Sequence, residues 1–186
     1  MGIFDKLNNP AAATQEQAVS MPVNDRETFT FAALPESVEE MKALPEAALD
    51  SPFKAAALTV CALCAYAADT EIGIGMLNFL KGPQPLSEYD KSFLKDRFRG
   101  KTYVPFSYFE GTSPENDYTP KSPFTVTVTS DNYSYAEQGY AKLFIRSSGA
   151  DSPRPIKLRQ KGNQWFLWEQ YLMPDIRKPK SADPWA

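Results

Sequence analysis

Two cysteines stand three positions apart in Cys61-Ala62-Leu63-Cys64, the spacing of a redox dithiol or of half a zinc site. A redox pair places its first cysteine at a helix N-terminus, where the backbone dipole favours the thiolate. Here the pair lies deep inside the apolar run Ala55–Ala68, well past Pro52. A structural zinc ion needs four ligands, and the chain has no second cysteine pair and no histidine. The pair therefore reads as two small buried hydrophobes. The absence of histidine also removes Ser-His-Asp and Cys-His mechanisms, histidine metal ligands and the usual acid or base near neutral pH. Carboxylate, lysine or tyrosine chemistry is left open, but no spacing marks it. No catalytic residue, metal or cofactor is assigned.

Ile72-Gly73-Ile74-Gly75 begins like a dinucleotide-binding loop, but Asn78 stands where the third glycine belongs and no strand precedes it. Close helix packing or a local bend explains these glycines. Gly2 has the position of a myristoylation acceptor, but Lys6 replaces the Ser or Thr of that motif.

The residues best suited to binding lie near the end of the chain. Lys157, Arg159 and Lys161 alternate, so on a strand they share one face, while Ile156 and Leu158 face the opposite way. Arg154 lies just before them. This pattern reads either as an anion-binding stripe or as the wet face of an antiparallel sheet. Trp165-Phe166-Leu167-Trp168 is apolar on both faces, so its strand should be central or covered on both sides. With Tyr133, Tyr135, Tyr140 and Tyr171 it reads as core or as an aromatic pocket or interface. Arg154, Lys157, Arg159, Lys161, Trp165 and Trp168 are therefore the candidate binding residues, for a protein or an anionic ligand. Lys91, Lys95, Arg97, Arg99 and Lys101 are interleaved with Asp90 and Asp96, as on a mixed, solvated helix face.

The elements that must position these residues follow from pattern. The chain has 186 residues, 42% of them apolar and 13% aromatic, enough for one core. A net charge of −3 argues against nucleic acid as partner. The charge is uneven: residues 1–50 carry an excess of acids and residues 151–186 an excess of bases. No basic-then-apolar leader opens the chain, the longest apolar run is too short to span a bilayer, and two cysteines make no disulfide framework. A cytoplasmic protein is the expectation.

Residues 1–25 read as a tail with one amphipathic turn at Ile3, Phe4 and Leu7. A single domain over residues 26–174 should follow, and an irregular tail over 175–186, ending near Trp185, should pack back on it. Within the domain, Thr28–Phe31 alternates as a short strand and Pro35 opens a helix through Leu44. Ser51-Pro52 caps a helix to Ala68, a second runs from Thr70 to Lys81 with Gly82 as its stop, and Ser87 caps a third from Glu88 to Arg99. The period then changes to two. Tyr103–Tyr108 is a strand weakened by Pro105, residues 111–123 form a loop, and Phe124–Thr129, Ala141–Arg146, Ile156–Gln160 and Gln164–Gln170 are strands. The last two form a hairpin around Lys161-Gly162-Asn163. Helices first and strands second predicts an α+β fold, a helical N-terminal layer on a four- to five-stranded antiparallel sheet.

The stretch from Gly149 through Arg154-Pro-Ile-Lys-Leu-Arg-Gln-Lys-Gly-Asn-Gln-Trp-Phe-Leu-Trp-Glu169, with Ile176-Arg-Lys-Pro179 and the closing Asp183-Pro-Trp185, resembles a family of small bacterial cytosolic proteins of unknown function. Ser51-Pro-Phe-Lys-Ala55 extends the likeness, which covers residues 27–186. The resemblance brings no catalytic residue. The closing strands are also similar to those of nuclear-transport-factor-like folds, although here four helices precede the sheet. The resulting expectation is a non-enzymatic binding or protein-interaction module. The alternative is a small-molecule-binding protein or carboxylate-dependent enzyme with its pocket between helices and sheet. A homodimer through the sheet is a third arrangement.

Overall fold

A computed structural model describes residues 25–186. The expected N-terminal turn at Ile3, Phe4 and Leu7 lies outside the described residues. Over the described residues the chain is α+β: four helices precede or flank a five-stranded antiparallel sheet.

The helices begin where short polar side chains satisfy free backbone N–H groups. Helix α1 (Val38–Lys42) is capped by Ser37, and the chain then makes a 3-10 turn at Pro45–Ala48. The helix expected from Pro35 through Leu44 is thus shorter at both ends, and Pro45 opens a separate turn. Helix α2 (Pro52–Ala68) has the Ser51 hydroxyl accepting the Phe53 N–H at 3.2 Å and Pro52 at its first position. It is buried on nearly every side. Its one buried polar side chain, Thr59, donates back to the Ala55 carbonyl at 2.8 Å. Helix α3 (Thr70–Lys81) is capped by Asp69, whose carboxylate accepts from the Glu71 and Ile72 N–H groups. Helix α4 (Glu88–Phe98) starts with a reciprocal box between Ser87 and Asp90.

Gly73 lets α3 lie directly on α2. A Cβ there would stand 2.3 Å from the Tyr66 Cα. The Gly-x-Gly sequence is therefore a helix-contact feature, not a phosphate loop.

The strands β1 (Arg26–Phe31), β2 (Phe124–Thr129), β3 (Tyr140–Ile145), β4 (Arg154–Lys161) and β5 (Gln164–Gln170) pair in chain order as a meander. Alternation divides each strand. Phe29, Phe31, Val126, Val128, Leu143, Ile145, Ile156, Leu158 and Leu167 are buried on the helix side. Helix α2 lies against all five strands. No described helix packs on the opposite face of β4, so its alternate residues meet solvent. The closing hairpin turn uses Gly162 at φ 60°, a left-handed conformation that suits the twist of two-residue hairpins.

One local expectation fails and another is narrowed, each for a physical reason. Tyr103–Tyr108 is not a strand: Val104–Tyr108 forms a 3-10 helix. Pro105 supplies no ladder donor, and Val104, Pro105, Ser107 and Tyr108 are all buried, so no alternating face exists. The segment instead wedges between β2 and β3. The Glu110 N–H donates to the Thr125 carbonyl and the Ser148 N–H to the Ser107 carbonyl, each at 2.9 Å. β2 and β3 consequently pair only at Val128–Ile145 and Thr129–Phe144.

For the aromatic strand β5, expected to be central or covered on both sides, the central place is excluded. It is an edge strand, and its outer rim is shielded by other means. The Trp165 N–H donates to the Leu49 carbonyl at 2.7 Å, and Lys81 Nζ donates to the Trp168 carbonyl at 3.2 Å. An edge covered this way offers no template for another strand.

The C-terminal segment is tied down through Ile176, which is buried, the Arg177 N–H bonded to the Gly149 carbonyl, and the Tyr118 hydroxyl bonded to the Arg177 carbonyl. Trp185, expected to pack back, is instead 94% exposed.

Candidate functional site

The six candidate residues divide into three environments. Lys157, Arg159 and Lys161 occupy the helix-free face of β4, as alternation requires. On that face Arg159 lies over the Trp168 ring at 4.6 Å from its centroid and 5.5 Å from that of Tyr140. Lys157 lies over the other side of the same arrangement, 4.5 Å from the Tyr140 centroid. The Tyr140 and Trp168 rings meet edge to face at 5.8 Å. The result is a ladder of cation and ring, in which the negative faces of the rings attract the cations beside them. Lys157 also reaches Glu137 at 2.6 Å, and that hydrogen bond holds its ammonium above the ordinary lysine pKa.

Trp165 points the other way, into the core. Arg154 is likewise off the stripe. Its guanidinium donates to the carbonyls of Pro174, Asp175 and Ser152 at 3.0–3.2 Å. It clasps the C-terminal segment to the start of β4.

Where the ladder reaches the hairpin, a cavity of about 390 Å3 opens between the α3–α4 connection and β4–β5. Arg159, Lys161 and Lys81 contribute its charge, Phe166 and Trp168 its aromatic surface, and Pro83 its opposite rim. No carboxylate lines it. Gly82, at φ 62°, permits this closeness: a Cβ would stand 2.4 Å from the Phe166 ring. Arg159 and Lys161 form no ion pair among the described residues. Such a pocket suits an anionic group with an apolar portion. Lys81 was missed by sequence reasoning, because its place beside β5 is created only by tertiary folding, and Tyr140 was named only within a wider group of tyrosines. The Tyr140–Arg159 register could have been found from the alternation of two strands.

The chain belongs to a family. The family model for a domain of unknown function (DUF6935) matches residues 33–180. No curated protein matches, and no solved structure does. The DUF6935 region contains every candidate residue above and both cysteines. Those cysteines are buried and unpaired, and burial pushes both thiols far up from their ordinary pKa. This is the reverse of a reactive dithiol. No group of metal-ligating side chains occurs among the described residues, and no described helix is long and apolar enough to cross a membrane. On α4, Lys91 pairs with Glu88 and Arg99 with Asp96, as on a solvated face.

Between the helices and the loops above β1 lies a further cavity of about 580 Å3, lined mostly by apolar side chains including Ile72, Phe106 and Phe124. Its two carboxylates are Glu36 and Asp69, and Asp69 already caps α3.

Proposed function

We propose that this DUF6935 domain is a binding module that takes an acidic protein segment on the helix-free side of β3, β4 and β5. The observation that carries this reading is Arg159, without an ion pair among the described residues, lying over the rings of Tyr140 and Trp168, with Lys161 near it in the lining of a cavity that no carboxylate lines. An acidic chain lying along β4 would meet Lys157, Arg159 and Lys161 in succession, and a carboxylate can take both guanidinium donors. The rings supply desolvated surface around those charges, which raises the value of each ion pair over that of an isolated surface pair.

The test is binding of a fluorescent poly-glutamate chain by anisotropy at low and moderate salt. Each exposed pair is worth about 0.5–1 kcal/mol, so K157A/R159A/K161A should weaken binding roughly 10- to 100-fold and flatten its salt dependence. Equal binding by the triple variant refutes the reading. The small-molecule alternative draws instead on the 580 Å3 cavity near α2 and α3. A metabolite that co-purifies with the triple variant would favour that alternative.

A further inference from the structure

We propose that the cleft between β2 and β3 is a separate binding site, for a phosphorylated polyol such as a sugar phosphate. Seven arginines occur in the chain, all within the described residues. Five are engaged. Arg154 binds backbone carbonyls, Arg99 and Arg177 pair with Asp96 and Asp151, and Arg97 and Arg159 lie on the rings of Phe93 and Trp168. The remaining two, Arg26 and Arg146, have no ion-pair or ring partner among the described residues. Both line the same cleft of about 470 Å3.

Register explains why they meet. Arg26 is opposite Thr129 in the β1–β2 ladder, and Thr129 is opposite Phe144 in the short β2–β3 ladder. Arg146 lies two residues beyond Phe144, on the same face. Both side chains therefore leave the same side of the sheet and line one cleft, where the segment 107–112 lies between β2 and β3. Two planar forks with free donors suit an oxyanion with several acceptor oxygens, above all a phosphate.

Three other hydroxyls of the lining present the opposite polarity. Thr129 donates its hydroxyl proton to the Phe144 carbonyl, Thr112 to the Phe109 carbonyl and Ser148 to the Ser107 carbonyl. With their protons committed, these oxygens retain only acceptor capacity. Glu110, also in the lining, is an acceptor too. A ligand must therefore bring acceptors to the arginine end and hydroxyl donors to the remainder. A polyol carrying one phosphate meets both demands. Inorganic phosphate meets only the first, and a polyphosphate would set further charge against Glu110.

The experiment is isothermal titration with glucose 6-phosphate and ribose 5-phosphate, with glucose and inorganic phosphate as comparators. Saturable binding of at least one sugar phosphate, tighter than both comparators, is expected. R26S/R146S should lose at least tenfold in affinity. Both side chains are exposed and have no ion-pair or ring partner among the described residues, so this variant should keep the wild-type melting temperature. K157A/R159A/K161A should bind the sugar phosphate as wild type does, which separates this site from the acidic-segment surface. Absence of binding, equal affinity for inorganic phosphate, or an unaffected R26S/R146S variant overturns the proposal.

Discussion

Gly73 and Gly75 stand two residues apart on α3, and alanine at the two positions should have different consequences. Intrinsic helix propensity favours alanine over glycine by about 1 kcal/mol at either place. The surroundings decide the rest. At Gly73 a new Cβ would stand 2.3 Å from the Cα of Tyr66, 2.4 Å from its Cβ and 2.6 Å from its backbone nitrogen. The Cα and nitrogen are main-chain atoms of α2 and the Cβ is fixed to them, so no rotamer change can move any of the three. Ordinary carbon contacts begin near 3.5 Å, so the helices must separate by roughly 1 Å. Separation loosens contacts along α2, whose buried residues include Leu58 and Leu63. Overpacking of this kind costs about 1–3 kcal/mol or more, which exceeds the propensity gain. G73A should therefore be destabilised, by about 1–2 kcal/mol net. At Gly75 the one close atom is Val38 Cγ2 at 2.8 Å, the tip of a half-buried side chain on α1 that can turn away. G75A should be within about 1 kcal/mol of wild type, on either side. Urea unfolding followed by far-ultraviolet circular dichroism measures both, with the midpoint compared at constant m-value. G73A as stable as wild type, or less affected than G75A, would refute the helix-contact account of these glycines.

Four further outcomes are expected. Ser87→Ala removes the hydroxyl that accepts the Asp90 N–H at 3.1 Å and should cost about 1 kcal/mol in the same unfolding assay. In that box, partial burial pushes the Asp90 carboxyl up, but hydrogen bonds from the Ser87 backbone and hydroxyl outweigh it and hold the pKa below the ordinary value. A depressed pKa contributes stability above the unfolded value, near pH 4, that is lost as pH falls through the folded value. The gap between wild type and D90N should therefore be present at neutral pH and close in acid; a gap constant from pH 7 to pH 2 would contradict this. Tyr108→Phe leaves the buried Leu172 carbonyl without the phenol that donates to it, at a cost of about 1–3 kcal/mol, read as a Tm drop of several degrees. Cys61 and Cys64 should resist a water-soluble disulfide reagent in the folded protein and both react in urea, since burial suppresses the thiolate.

Most element boundaries were legible because local chemistry punctuates them. Ser51-Pro52, Ser87 and Gly82 begin or end helices as their local chemistry requires, and the β-branched run Phe124–Thr129 is a strand at the expected bounds. The alternation of Lys157, Arg159 and Lys161 against Ile156 and Leu158 was readable for the same reason. What escaped was tertiary. Arg154 is adjacent to the stripe in sequence, yet its guanidinium turns to the C-terminal segment. Lys81 lies far from Trp168 along the chain and meets it only because α3 ends beside β5. The apolar strand β5 could be at an edge because Leu49 and Lys81 supply what a neighbouring strand would. Val104–Tyr108 imitated a strand in composition, but its buried wedge role depends on the gap it fills between β2 and β3.

That gap makes the sheet two ribbons, one of β1 and β2 and one of β3, β4 and β5, stitched by two rungs. Hydrogen bonding along the ladder is therefore a poor conduit for force or cooperativity between them. Helix α2, which lies against every strand, is the beam across the seam. Amide protons of both ribbons should then exchange in step with those of α2, and loosening that helix should let the ribbons exchange independently of each other.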